Sequence, residues 1–220
     1  MLVRRLDLDS IYNHGHDAVA LPRSHYTRLM DAVRALEWSA DPSGSFNRIP
    51  SYLLPSARLK ADEKADQEAM MKQSAMSACP EYLVDAAKAL ITDPELMGNW
   101  IIPHRPELQF ISIWDGAEDL DWHWDGPAGA DFFFLIYLNA KGGWEQSRGG
   151  QLMLGTRSLA GNFMKVDAST VTALATYEPS SRTLVCCNNQ SPQFVHKVVP
   201  LTKGDERTVF MVAFNMRRFS

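Results

Sequence analysis

His123-Trp124-Asp125, with His196 and Arg207 further along the chain, is the stretch whose reading decides the fold. Two histidines and a carboxylate, two of them bracketing a single residue, form a set of ligands that iron(II) takes on one face of its octahedron, leaving the opposite face open. On a strand, residues i and i+2 point to the same side. His123 and Asp125 are therefore expected to aim at one metal, with Trp124 pointing the other way. Residues 193–199 are rich in β-branched side chains and read as a second strand, which carries His196. Arg207 opens a third such run, residues 207–214. If these last two strands are neighbours, Arg207 projects into the cavity that holds His196. Arginine suits that place because its planar fork grips a carboxylate with two hydrogen bonds. The plain alternatives are a buried His–Asp hydrogen bond with an unrelated histidine, and an ion pair of Arg207 with Asp205 or Glu206.

Outward from these positions, the second half of the chain is strand-like. Strands are expected near residues 108–114, 121–125, 132–138, 150–154, 171–177, 183–187, 193–199 and 207–214. Eight strands with turn residues between them suit a jelly roll of two packed sheets. Loops are expected over 141–149 and 155–170, where a barrel mouth commonly carries substrate contacts. Residues 1–105 are mainly helical in pattern. Tyr26, Leu29, Met30, Val33 and Leu36 recur at helical spacing, residues 61–77 are rich in helix formers, and a helix begins at Pro80 with Leu83, Ala87 and Leu90 on one face. Residues 41–45 read as a turn and 46–59 as an irregular connection. The apolar stripes are expected to pack against a sheet.

At 220 residues the chain suits one domain, 1–220, with a helical support region (1–105) and a strand-rich core (108–214). A net charge of −4 argues against a dedicated nucleic-acid binder. Cys79, Cys186 and Cys187 make no disulfide framework, and the adjacent pair should face opposite sides of a strand. Neither a cleaved leader nor a run of about 18 apolar residues is found, so a cytoplasmic protein without a membrane segment is expected.

The motif order goes further. After His123-Trp124-Asp125 come residues 131–139, ending Tyr137-Leu138-Asn139, then Gly149-Gly150-Gln151-Leu152, then His196 to Gly204 and Arg207. In order and content this run resembles the iron(II)/2-oxoglutarate-dependent dioxygenases, in particular their prolyl-hydroxylase-like branch, over about residues 108–214. The resemblance implies a double-stranded β-helix (a cupin-like jelly roll), with helices outside the major sheet and iron held between the sheets. It implies His123, Asp125 and His196 as iron(II) ligands, and Arg207 as the anchor for the distal carboxylate of 2-oxoglutarate. Tyr137 is a weaker candidate for the co-substrate pocket. So is Trp114, which stands where the branch often has a tyrosine. Trp124 is a candidate substrate contact. Gln151 replaces the commoner acidic residue and receives no role.

The activity implied consumes 2-oxoglutarate and O2, releases succinate and CO2, and hydroxylates an unactivated C–H bond. Related halogenases lack the carboxylate that Asp125 supplies here, so hydroxylation is the expected outcome. The expected partner is a small-molecule substrate, an amino acid or related metabolite, free or carrier-bound. Neither nucleic acid nor membrane is expected, and a homodimer is possible. Nucleic-acid demethylases carry a second arginine six residues after the anchor, where this chain has Ala213. The alternatives are a peptidyl or protein prolyl-type hydroxylase and a non-enzymatic cupin-like metal-binding protein. Arg105, Arg148, Arg157 and Arg182 could grip a substrate carboxylate but read first as ordinary surface charges.

Overall fold

Strand β7 (Phe132–Tyr137) is buried along its whole length, and its position organises the molecule. A strand covered on both faces reads as an unbroken apolar run, so this one shows no alternation in sequence. Phe132, Phe134 and Ile136 face a cluster shared with the helices, whereas Phe133, Leu135 and Tyr137 face a second cluster between two sheets. The structure is a computed structural model. It describes residues 4–42, 48–54, 79–98, 100–101, 107–115, 120–126, 131–139, 144–159, 165–180, 182–202, 205–214 and 217–218.

The helices are α1 (Leu8–His14), α2 (Arg23–Arg34), α3 (Glu81–Ile91) and α4 (Pro94–Met97). The first-half strands are β1 (His16–Ala20), β2 (Trp38–Ala40), β3 (Arg48–Pro50) and β4 (Trp100–Ile101). The core follows with β5 (Glu107–Asp115), β6 (Leu120–His123), β7, β8 (Leu152–Arg157), β9 (Val171–Tyr177), β10 (Thr183–Asn188), β11 (Phe194–Val198) and β12 (Glu206–Phe214). A short β13 (Arg217–Arg218) pairs with β4. The major sheet has the order β1-β10-β7-β12-β5-β3-β2 and the minor sheet β6-β11-β8-β9. Their inner faces meet over Leu135, Leu152, Leu154, Val185, Val198 and Val209. This is a double-stranded β-helix, and its eight strands are those expected from the sequence.

The helices cover the outside of the major sheet. Leu29, Ala32 and Val33 of α2, with Leu83, Ala87 and Leu90 of α3, pack on Phe134, Ile136, Leu184 and Phe210. Each large apolar side chain buried this way contributes about 1.5–3 kcal/mol. Cys186 joins this helical layer and Cys187 the inter-sheet core, on opposite faces of β10.

Several expectations need correction. The first half is not simply helical, because β1, β2 and β3 extend the major sheet. β1 was masked in the sequence by Asp17, which is buried yet satisfied, accepting from Arg4 at 2.6 Å and from the Asp7 backbone N–H at 2.8 Å. Residues 46–59, expected to be irregular, contain β3 and a turn of 3-10 helix, Ser51–Leu53. Pro80 caps α3 rather than entering it. β8 continues to Arg157, beyond the expected end at 154, because Gly155 is no break. Its bare Cα lies where a Cβ would come within 2.8–3.1 Å of Val171, Thr172 and Trp122, so glycine here permits close packing. The helix expected over 61–77 and most of the turn at 41–45 lie outside the described residues.

Candidate active site

β6 and β11 are neighbours in the minor sheet, and their register sets His196 directly opposite His123. The two imidazole centroids are 4.2 Å apart. β6 ends at His123, so the strand argument accounts for that histidine but not for Asp125, which follows the strand's end. The carboxylate nevertheless reaches the same point. Asp125 Oδ1 lies 3.6 Å from Nε2 of His123 and 3.6 Å from Nε2 of His196. One ligand atom from each of the three residues lies within 4.8 Å of the others. Bonds of about 2 Å at right angles would place such atoms about 3 Å apart, so a small inward movement closes the set on an ion.

The protonation of His123 is set from behind. Its Nδ1–H donates to the Asp121 carbonyl at 2.7 Å, which leaves the Nε2 lone pair facing Asp125. Burial lowers its pKa, as does the neighbouring His196, against the raising effects of the Asp121 carbonyl and of the Asp125 and Asp121 charges. The neutral ligand form is therefore favoured. Trp124 acts as a tether: its indole N–H donates to the Asn189 carbonyl at 2.9 Å. Asn189 also donates from its backbone to Asp131 at 2.8 Å and from its side chain to Gly126 at 3.4 Å. Asn189 thus laces the segment carrying Asp125 to the end of β10. Sequence reasoning missed it, because two of these three contacts use its main chain. The triad sits at a mouth, with His123 and Asp125 side chains 36% and 42% exposed against 14% for His196.

Arg207 enters from the other sheet. β11 and β12 are not hydrogen-bonded neighbours, as the sequence suggested they might be. They lie in facing sheets, and their inner faces share one interior. Arg207 is buried, with 5% exposure. One guanidinium arm, Nη1, donates to the Gly150 carbonyl at 2.9 Å, and the group stands 5.3 Å from the centre of the Tyr137 ring. Among the described residues, Arg207 Nε and Tyr137 Oη, both buried, have no hydrogen-bond partner. Burial lowers the pKa of Arg207, with Tyr137 acting in the opposite direction, and burial pushes that of Tyr137 up to about 12. The ion-pair alternative fails: Asp205 pairs with Arg148 at 2.7 Å and Glu206 with Arg48. β7 links the two places, since the Phe133 ring lies 5.4 Å from that of His196 and Tyr137 stands four residues on, about 13 Å along the strand.

The donor set fits a divalent iron, with two imidazole nitrogens and one carboxylate oxygen. The unpartnered Arg207 Nε and Tyr137 Oη fit a carboxylate, which accepts from both kinds of donor. Trp114 stands opposite Arg207 in the β5–β12 register, but its side chain lies outside the described residues. The remaining arginines hold structure. Arg148 stacks on Trp144 at 4.1 Å, Arg157 donates to the carbonyls of Pro192 and Lys165, and Arg182 donates to that of Leu21. Arg105 lies outside the described residues.

No family model and no curated protein matches the chain. Solved structures do match. A prolyl hydroxylase from Trichoplax adhaerens, in complex with a hypoxia-inducible-factor oxygen-degradation-domain peptide, superposes with a TM-score of 0.51 at 17% identity, covering 94% of this chain and 86% of that one. The two share a fold. An α-ketoglutarate-dependent epimerase, SnoN from nogalamycin biosynthesis, matches with a TM-score of 0.49 at 14% identity over 94% of this chain and 81% of that one. A prolyl-4-hydroxylase from Pseudomonas putida matches with a TM-score of 0.45 at 18% identity over 96% and 97%. Among the described residues, no helix is long and apolar enough to cross a membrane.

Proposed function

We propose that the protein is an iron(II)- and 2-oxoglutarate-dependent dioxygenase that hydroxylates a C–H bond of a small substrate, an amino acid or related metabolite, free or carrier-bound. One observation carries the reading. Among the described residues, a buried guanidinium has no carboxylate partner and lies between the two sheets whose mouth carries a His–Asp–His cluster. An isolated buried charge is costly, and a dianionic oxo-acid is the ligand that would satisfy it.

In this reading His123, Asp125 and His196 hold the iron, while Arg207 and Tyr137 orient the distal carboxylate of the co-substrate. The Asp121 carbonyl keeps the His123 proton on Nδ1. Phe133, Leu135, Leu154 and Val198 keep water from the interior. When bound, iron and 2-oxoglutarate supply the oxidising chemistry, which consumes O2 and releases succinate and carbon dioxide. Trp124 tethers the Asp125 segment through its indole N–H, and its ring is the proposed substrate contact.

A peptidyl substrate is the second reading. The exposure of His123 and Asp125 favours it, because an open mouth admits a side chain presented on a larger body. The Trichoplax protein was solved with such a peptide. The test is succinate formation by protein loaded anaerobically with iron(II) and 2-oxoglutarate, then exposed to air with metabolite pools or with proline-containing peptides. Succinate that rises with a metabolite pool supports the first reading, and succinate that rises only with peptides supports the second. Absence of both iron and 2-oxoglutarate binding rejects the dioxygenase.

A further inference from the structure

The connection of residues 144–151 lies against the β11–β12 connection through several straps. The Gly150 N–H donates to the Val199 carbonyl at 2.8 Å, and Val199 returns a bond to Gln151 at 2.9 Å. Thr202 donates to the Arg148 carbonyl at 2.9 Å, and Arg148 pairs with Asp205. Gly149 is pressed so closely that a Cβ there would lie 1.8 Å from the Pro200 carbonyl oxygen. Gln151, buried, fixes the other side by donating to Gln146 at 2.8 Å and Glu178 at 3.3 Å. A turn held this firmly can act as a fixed reference for what touches it. What touches it is Arg207.

We infer that Gly150 is a positioning residue for the co-substrate anchor: its carbonyl holds one arm of the Arg207 guanidinium, and its left-handed backbone aims that carbonyl. The inference rests on reading Arg207 as the carboxylate anchor. The guanidinium is a rigid planar fork, so holding one nitrogen restricts the direction of the other two. Nη1 is held by Gly150. The edge formed by Nε and Nη2 is then the one left to face a ligand, and Nε is the buried donor without a partner. A Cβ at Gly150 would overlap Leu201 Cδ2 at 2.8 Å and make only an ordinary contact, 3.4 Å, with Arg207 Cδ. Gly150 also has φ +76°, a left-handed conformation that glycine adopts without strain. The Gly149-Gly150 pair therefore answers two needs. Gly149 lets the connection dock on Pro200, and Gly150 aims Arg207.

The experiment uses manganese(II), a redox-silent occupant of the metal site, and 2-oxoglutarate titrated calorimetrically into the manganese-loaded protein. The unsubstituted chain is compared with Gly150→Ala, Leu201→Ala and the double variant. Gly150→Ala is expected to weaken 2-oxoglutarate binding about tenfold, the loss of one well-aimed charge-assisted hydrogen bond, with manganese affinity unchanged. The double variant removes the overlap with Leu201, keeps the backbone strain of a side chain at φ +76° beneath the carbonyl that holds Arg207, and carries the test should Gly150→Ala alone fail to fold. It should still bind 2-oxoglutarate about tenfold more weakly than Leu201→Ala. Equal binding by the double variant and Leu201→Ala overturns the inference, as does a parallel loss of manganese affinity. Failure of the unsubstituted protein to bind 2-oxoglutarate rejects the dioxygenase reading itself, a result distinguishable from either.

Discussion

Arg207 carries its charge where 5% of its surface meets solvent, and among the described residues its hydrogen bond goes to a backbone carbonyl rather than to a carboxylate. Replacing a poorly compensated buried ion by an apolar side chain of similar length commonly stabilises a protein. Arg207→Met is therefore expected to raise the stability of the ligand-free protein by about 1–3 kcal/mol while weakening 2-oxoglutarate binding about 100-fold. Urea unfolding and calorimetry would show the two effects together, and a destabilised variant with intact binding would mean that the arginine serves the fold instead. The proposed metal ligands should behave differently. His123→Ala or Asp125→Ala should abolish manganese or iron binding and with it turnover, measured by metal content after dialysis; full activity in either variant would reject the assignment. The sequence singled out His123, Asp125, His196 and Arg207 because side chains of those types in that order have one chemical reading, and the structure brings the first three together. The roles of Asn189 and Gly150 were not legible there, because both act mainly through main-chain groups, and residue type does not say what a backbone carbonyl holds.

The strands of the barrel were legible for the same reason that β7 is buried: long apolar or alternating runs have one physical reading. The short strands β2 and β3 have three residues each, too few to show a period. The helices were partly legible. α2 and α3 declare their apolar faces, whereas α4, four residues long, is held by tertiary contacts rather than by propensity. One of these contacts is testable by pH. His25 of α2 meets Asp93, the N-cap of α4, at 2.6 Å. Burial pushes the Asp93 carboxyl up, but hydrogen bonds from His25 and from the Glu95 N–H, with the charge of His25, outweigh it and hold the pKa below its usual value. Because the folded value is the lower one, the stabilisation is complete above the unfolded pKa near 4 and is lost as pH falls through the folded pKa. Asp93→Asn keeps a capping oxygen and removes the charge. It is expected to cost up to about 1 kcal/mol at pH 7 and nothing once both proteins are below the folded pKa. Denaturant midpoints at several pH values would show this convergence, and a constant difference across pH would assign the cost to packing.

At the scale of the whole molecule, the two halves of the site belong to different sheets. His123 and His196 stand on β6 and β11 of the minor sheet, and Arg207 and Tyr137 on β12 and β7 of the major sheet. Metal alone would tie together strands that are already hydrogen-bonded neighbours. An oxo-acid that reaches from the metal to Arg207 would bind the sheets to each other, across an interior otherwise closed by apolar contacts. Anything that binds only the folded state stabilises it, by about 2.7 kcal/mol at a hundredfold excess over Kd, which for a chain of this size is about 5–11 °C in melting temperature. Manganese(II) with 2-oxoglutarate should therefore raise the melting temperature by several degrees more than manganese alone. The surplus should vanish in Arg207→Ala, whose response to manganese alone remains. In Asp125→Ala the manganese response should vanish, and with it the extra gain that the oxo-acid draws from chelating the metal. Equal shifts from 2-oxoglutarate in Arg207→Ala and the unsubstituted protein would place the oxo-acid elsewhere and leave the buried guanidinium without its ligand.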